Sequence, residues 1–467
     1  MKEYGLIVIG SGAGMNVVDA ALQRGLRVAV VEEGPLGGTC LNRGCIPSKV
    51  LIHVADVIQE ARRASALGVD LRLEKVDFGL IKKRMWDIVL NGRHEMEEGV
   101  GHAREIDLYK GVGVFVSDHT LEVGGKTITA PKVVIASGAR AQVPRVPGLD
   151  GVPFHTYRTV FDIEQRPESM VIMGGGYIGC EFAHFFSAIG TKVVLVGRNP
   201  VLLPHEEPET SSLVRSRLSE RVEVMTGAEI TGVSGGEGRV AVEVKRDDGG
   251  ESVVEGQHLL VATGVRSNSD WLKPEKTGVD MDERGWIRTD QYLETSKKDI
   301  FALGDALGRN MYRHTANHQA SVVAHNLFEE KKRPMDLHAV PHAVFTDPQV
   351  GQVGMTEAEA VRQGNKVLVG TAKYQDSAMG YAYADPDAFV KLVVEHPTHR
   401  LLGATAVGPQ AALLVQQVVN MMNCENHTYA PLARAQIIHP TLTEVLASAL
   451  GALRPVNFEP GRHDHSH

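Results

Sequence analysis

The chain has 467 residues, room for about three domains, and its 57 acidic against 49 basic side chains give a net charge of −8. The signs are interleaved, which argues against a nucleic-acid partner, and no run of roughly 18 apolar residues is present to cross a membrane. No cleavable leader is visible and four cysteines cannot staple a secreted scaffold, so a cytoplasmic enzyme is expected.

Leu6-Ile7-Val8-Ile9 reads as a buried parallel strand that Gly10-Ser11-Gly12-Ala13-Gly14 turns into a helix. A second strand over 27–31 ends at Glu32, about 20 residues past the glycines. This is the dinucleotide fingerprint. Gly10 and Gly12 let the backbone approach a diphosphate, the helix start faces it, and Glu32 suits ribose hydroxyls. The third glycine of the pattern belongs at position 15, where Met15 stands. Gly14 comes one place early, so helix and strand are expected to pack less closely there.

Next comes Gly37-Gly38-Thr39-Cys40-Leu41-Asn42-Arg43-Gly44-Cys45-Ile46-Pro47-Ser48-Lys49. Cys40 and Cys45 come within reach of each other if this segment is wound into a helical turn, with Pro47 close to a helix start. A bridge across so short a loop adds little stability, because that gain grows with loop length. A pair meant to open and close explains it, with an inert pair as the alternative. Zinc would need a second Cys/His pair at matching spacing, and Cys180 and Cys424 stand alone, so no metal site is expected.

A strand and turn over 132–139, holding Ser137 and Gly138, precede a Pro-rich connector at 144–148 that reads as a domain boundary. Then the first pattern repeats. The strand 169–173 leads into Gly174-Gly175-Gly176-Tyr177-Ile178-Gly179, a complete G-x-G-x-x-G opening a helix through Glu181, with a strand over 192–196 after it. Two such units imply two nucleotide ligands. An acid after the second strand would hold a 2′-hydroxyl, whereas Gly197-Arg198 stand there and favour NADP over NAD, with Arg198 as the contact. Residues 259–265, ending at Gly264 and Val265, are the counterpart of 132–139. A buried strand over 300–303 leads to Gly304 and Asp305, whose carboxylate either faces the ligand crevice or caps a helix.

From about residue 340 the pattern changes. Alternation over 389–395 and 401–407 reads as antiparallel strands, and 411–422 and 442–453 carry apolar helical spacing. Such an apolar α+β unit suits dimerisation. His439, ahead of Pro440 and five residues before Glu444, suits an imidazole held by a carboxylate and used as acid and base. The His-rich stretch 461–467 is expected to be disordered, with adventitious metal binding at most.

Taken together, motifs from Tyr4 to Leu453 resemble the flavin-dependent pyridine nucleotide–disulfide oxidoreductases, the glutathione reductase and dihydrolipoamide dehydrogenase family. The resemblance implies an α/β fold of two Rossmann-like domains, for FAD and NAD(P), plus a C-terminal α+β dimerisation domain. The implied segments are 1–147 (FAD, first part), 148–268 (NAD(P)), 269–338 (return to the FAD or central domain), 339–457 (dimerisation) and 458–467 (flexible tail). It implies FAD contacts from Gly10, Gly12, Gly14, Glu32, Gly38, Thr39, Ser137, Gly138, Gly304 and Asp305, the last at the ribityl chain. NAD(P) contacts would come from Gly174, Gly176, Tyr177, Ile178, Gly179, Arg198 and Gly264. Cys45 would touch the flavin, Cys40 would meet the substrate, and Lys49 would lie near the flavin with Glu181 as its acid. His439, oriented by Glu444, would serve the partner's site in a homodimer.

Arg43, Pro47-Ser48-Lys49 and the segment 439–444 look like dihydrolipoamide dehydrogenases, whereas Met15, Arg198 and 313–318 look like mycothione reductases. The expected activity is electron passage between a dihydrolipoamide-type dithiol, free or protein-bound, and a nicotinamide cofactor. The alternative is mycothione or another low-molecular-weight disulfide reductase using NADPH. A non-catalytic flavoprotein would need the fingerprints but neither the thiols nor His439.

Overall fold

A computed structural model describes the protein over residues 1–458; the expected tail beyond Phe458, with its histidines, lies outside the described residues. The first sheet is five-stranded and wholly parallel, in the order Ile300–Ala302, Val133–Ile135, Leu6–Ile9, Val28–Glu32 and Ile106–Lys110. Leu6, Ile7, Val8, Val28, Ala29 and Val30 are fully buried, as apolar runs in a sheet covered on both faces must be. Its outer strands come from far along the chain. The segment between 135 and 300 leaves, builds a second unit and returns.

That second unit has a parallel sheet in the order Val222–Thr226, Lys192–Gly197, Ser169–Met173 and His258–Val261, beside the antiparallel strands Ala228–Gly236, Arg239–Arg246 and Glu251–Gly256. Where the chain crosses between units, Val265–Ser267 pairs antiparallel with Ala139–Ala141. The outgoing and returning segments therefore hold each other.

The C-terminal unit is a wholly antiparallel six-stranded sheet that includes Phe389–Glu395 and Leu401–Val407, both buried nearly throughout. The helices Ala411–Met422 and Thr443–Gly451 cover it with Leu414, Val418, Val445 and Leu446. Lys391 on this sheet is almost fully buried and ion-paired to Glu207 (3.0 Å), Glu209 (3.3 Å) and Glu357 (2.6 Å). Burial pulls its ammonium pKa down, but the bonds to Glu357 and Glu207 outweigh that and hold it above the usual lysine range. This network ties the C-terminal sheet to the second nucleotide unit. Among the described residues no helix is long and apolar enough to cross a membrane.

Candidate active site

The two fingerprints share one geometry. Gly10 (φ 101°) and Gly174 (φ 125°) each follow the first strand of their sheet in a backbone state that L side chains rarely adopt. A Cβ at either would run into the carbonyl of the neighbouring strand, Ala136 or Ala262. The expectation of looser packing at Gly14 is not met. A Cβ there would lie 2.5 Å from Gly10 O and 2.8 Å from Val8 Cγ1, so Gly14 takes over the close-approach position that Gly179 holds in the second copy. Both third glycines lie under the cleft rather than in it.

Glu32 is braced before any ligand arrives. Its Oε2 accepts Ser11 N (2.9 Å) and Ser11 Oγ (2.7 Å), and its Oε1 accepts Gly34 N (2.9 Å). Ser11 Oγ in turn accepts Gly37 N at 3.0 Å, which locks the first glycine turn to the start of the cysteine segment. Sequence reasoning passed over Ser11, since a serine between glycines carries no signal of its own.

The cysteines sit on two helices rather than one turn. Gly38–Arg43 ends at Gly44, and Cys45–Arg63 begins there with Cys45 as its first residue and Pro47 in its first turn. A side chain at Gly44 would press within 2.9 Å of Thr39 O and 3.3 Å of Cys40 Cα, so only glycine lets the chain fold back to bring the thiols together. Asn42, buried, donates to Leu36 O and Gly38 O, both at 2.9 Å, and accepts from Arg93 Nε, which fixes the segment's shape.

Both cysteines are free thiols. The hydrogen bond from Cys40 lowers Cys45 most; burial opposes it and the Lys49 charge assists, leaving Cys45 at about 6. Cys40 moves the other way, pushed up by that same bond and by burial. The reduced pair is thus a thiolate at Cys45 holding the proton of Cys40. Lys49 Nζ lies 2.7 Å from Glu181 Oε2 and 4.6 Å from the centre of the Phe345 ring, while Phe345 N donates to Glu181 Oε1 at 3.0 Å. The structure therefore brings together Cys40, Cys45, Lys49 and Glu181.

One cleft of about 1770 Å³ runs from the first fingerprint past these groups to the second. Gly10, Gly12, Glu32, Gly38, Thr39, Ser137, Gly138, Gly304 and Asp305 line its first half; Gly174, Gly176, Tyr177, Ile178, Arg198 and Gly264 line its second. These residues fit a dinucleotide. Ser137 Oγ is buried without a hydrogen-bond partner among the described residues, and burial pushes the Asp305 carboxyl above its usual range, so both face the cleft as polar groups lacking a protein partner.

At the junction of the two halves lies a cluster that sequence reading did not assemble. Tyr177 OH donates to Glu206 Oε1 at 2.7 Å, and His342 Nε2 meets the same oxygen at 2.7 Å. Tyr177 stacks on His342 at 5.4 Å, and Tyr312 stacks on both His342 and His314 at 5.4 Å. Burial, and then the Glu206 charge, push the Tyr177 phenol up, so it stays protonated as a donor. Glu206, the first acid after Arg198, accepts from the tyrosine.

His439 and Glu444 form their expected pair: Nδ1 and Oε1 are 2.8 Å apart, and Glu444 Oε2 accepts Thr441 N at 3.0 Å. The bond to His439, and then that from Thr441, hold Glu444 below the usual carboxylate range. The chain does not bring this pair to its own cysteines. The His439 side chain is 72% exposed and lines no part of the cleft, and Ile438 beside it is 77% exposed.

Known proteins share this arrangement over nearly the whole chain. Residues 4–320 match the pyridine nucleotide-disulphide oxidoreductase model and 340–450 match that family's dimerisation domain. Mycothione reductase of Mycobacterium tuberculosis is 38% identical over 470 residues, spanning 97% of this chain and 100% of that protein. A dihydrolipoyl dehydrogenase of Chlamydia muridarum is 31% identical, spanning 99% of each. Among solved structures, the Cu(II) complex of the HOCl-induced flavoprotein disulfide reductase RclA from Escherichia coli superposes with a TM-score of 0.86 at 28% identity, covering 97% of this chain and 99% of that one. The chain belongs to the pyridine nucleotide-disulphide oxidoreductases, flavoprotein enzymes that bind FAD and NAD(P).

Proposed function

We propose that the protein reduces a bulky low-molecular-weight disulfide of the mycothione class with NADPH, through Cys40 and Cys45. The observation that carries the dithiol chemistry is the polarised pair itself, a thiolate at Cys45 beside Lys49 and a protonated thiol at Cys40, on a cleft lined by both fingerprints. Arg198 lines the nicotinamide half where an acid would otherwise select NAD, which supports NADPH. The similarity to a mycothione reductase supports the substrate class.

When bound, FAD supplies the two-electron link between hydride and thiol chemistry. The side chains do the rest. Cys40 holds its proton tightly, so a base must take it before the sulfur can attack. His439, oriented by Glu444, is that base, presented by the dimerisation domain of a second copy. Cys40 sulfur attacks one sulfur of the substrate, whose other sulfur leaves with the proton from His439. Cys45 thiolate then displaces the remaining substrate thiolate, which takes up a proton, and the Cys40–Cys45 bond closes. Lys49 supports the charge on Cys45, and Glu181 positions Lys49.

The second reading is dihydrolipoamide oxidation with NAD, favoured by the His439–Glu444 pair within a segment that looks like dihydrolipoamide dehydrogenases. A substrate panel crossed with both nicotinamides decides. Turnover of mycothione disulfide with NADPH, well above dihydrolipoamide with NAD, is the expected result; the reverse order overturns the proposal.

A further inference from the structure

We infer that His338 is a pH-operated clasp, holding the segment that enters the C-terminal unit to the end of the helix Ala411–Met422. His338 Nδ1 lies 2.7 Å from Asp336 Oδ1, which also accepts His338 N at 3.0 Å, and His338 Nε2 lies 2.8 Å from Met422 O. An ionised carboxylate and a carbonyl can only accept, and a neutral imidazole carries one N–H. The two bonds together therefore require the imidazolium. Met422 is the last residue of its helix, where carbonyls lack a helical partner and the dipole favours a cation. The same carbonyl accepts from His427 Nδ1, and the two imidazole rings meet edge to face at 4.7 Å. The turn that returns His427 to the helix end takes left-handed φ angles at Asn426 (68°) and His427 (55°), a conformation that residues other than glycine seldom adopt.

The surrounding charges agree with the geometry. Burial works against a charged His338, but the bonds to Asp336 and Met422 O outweigh it and hold the ring above the usual histidine range. Arg400, in the turn between the strands Phe389–Glu395 and Leu401–Val407, opposes them and is itself paired with Glu395 at 3.0 Å. Burial raises Asp336 as well, and the bonds from His338, followed by the charges of His338 and His427, bring it below the usual carboxylate range. Asp336, His427 and Arg400 are thus the titratable and charged groups facing the ring. Because the folded value of His338 lies above its ordinary one, the clasp is complete below a pH of about 6.5 and is lost as pH rises through the folded value. The helix it secures reaches the active site. Ala412, Val415, Gln416 and Val419 line the cleft, and Gln417 Nε2 donates at 3.2 Å to Thr443 Oγ1, at the start of the helix that carries Glu444. Protonation of His338 sets how firmly the far end of this wall is held.

The test follows amide hydrogen exchange over residues 411–428 of the holoenzyme at roughly pH 6 and pH 9, for wild type, His338→Gln and His427→Gln. Each variant is compared with wild type at the same pH, so that intrinsic exchange rates cancel. Glutamine can donate to one acceptor, as the neutral ring does, but cannot bridge both with a charge. Exchange in His338→Gln should be about 10- to 100-fold faster than wild type at the lower pH, with the gap narrowing at the higher one. His427→Gln should keep the pH dependence of wild type. The His338 ring resonance, assigned by its loss in His338→Gln, should titrate above about 6.5 in wild type and lower in Asp336→Asn. Should His338→Gln not fold, Asp336→Asn, which removes the same ion pair, takes its place in the exchange comparison with the same expectation. A wild-type midpoint at or below 6.5 overturns the proposal. So does a gap of equal size at both pH values, or a pH dependence that disappears in His427→Gln. None of these readouts involves the disulfide, so the clasp and the substrate assignment stand or fall separately.

Discussion

Replacing Lys49 with methionine isolates the electrostatics of the cysteine pair. Cys45 owes its low pKa first to the Cys40 hydrogen bond; burial opposes this, Lys49 lowers it further, and Glu181 raises it. Lys49→Met removes the cation and leaves the Glu181 side chain, 12% exposed, without its 2.7 Å partner. Both changes act upward. A charge at this range moves a pKa by roughly 1–3 units, so the midpoint of about 6 should rise to roughly 7–9. At pH 7 the thiolate share would fall from about 90% to between roughly 50% and 1%. The assay is the long-wavelength absorbance between thiolate and flavin in the two-electron-reduced enzyme, titrated against pH. It should vanish at a higher pH in Lys49→Met. Glu181→Gln removes the opposing charge and should shift the midpoint down. An unchanged midpoint in Lys49→Met, or movement of both variants in one direction, refutes the reasoning.

Glu444→Gln keeps the shape of the His439 partner but removes the charged oxygen that accepts from and orients the imidazole. Turnover should fall about 10²- to 10⁴-fold while the thiolate–flavin absorbance stays, because that absorbance reports the Cys45 thiolate, held by Cys40 and Lys49, whereas His439 is proposed to move the proton of Cys40. Lys391→Met leaves Glu207 buried and unpaired, and should cost roughly 3–5 kcal/mol, read from denaturant midpoints of the holoenzyme. The folded pKa of Lys391 is raised, so its contribution is complete below the ordinary lysine value and fades as pH rises through the folded one. The gap between wild type and Lys391→Met should therefore hold through neutrality and narrow only in strong alkali. Arg198→Glu should move the cofactor preference from NADPH toward NADH, measured as the ratio of kcat/KM; an unmoved ratio removes Arg198 from the cofactor site.

Sequence reading captured what local chemistry determines. The strand over 169–173 sits where its apolar run places it, because burial on both faces leaves that pattern, and those over 389–395 and 401–407 sit where alternation placed them, although both of their faces prove buried. The cysteine segment was legible as chemistry but not as shape: the fold-back at Gly44 depends on contacts with Thr39 and Cys40 that spacing does not encode. Gly14 was misjudged for the same reason, since the strand is approached in space and not at a fixed offset. The Tyr177–Glu206–His342–Tyr312 cluster was invisible, its members drawn from separate units of the fold with no local motif between them.

The separation of His439 from the cysteines carries a consequence for how the enzyme must be built. Cys40 is pushed up by its bond to Cys45 and by burial, so the attacking sulfur cannot shed its proton unaided. The one histidine paired with a carboxylate in the expected acid–base motif is on the outside of the same chain, with an exposed isoleucine beside it. A base in open water has no substrate to orient, and an apolar side chain there stays uncovered. In the proposed mechanism a second copy docked through the dimerisation domain would resolve both at once, covering Ile438 and carrying His439 to the other chain's Cys40. On this reasoning the proton and the sulfur belong to different subunits, and the active site is a property of the pair.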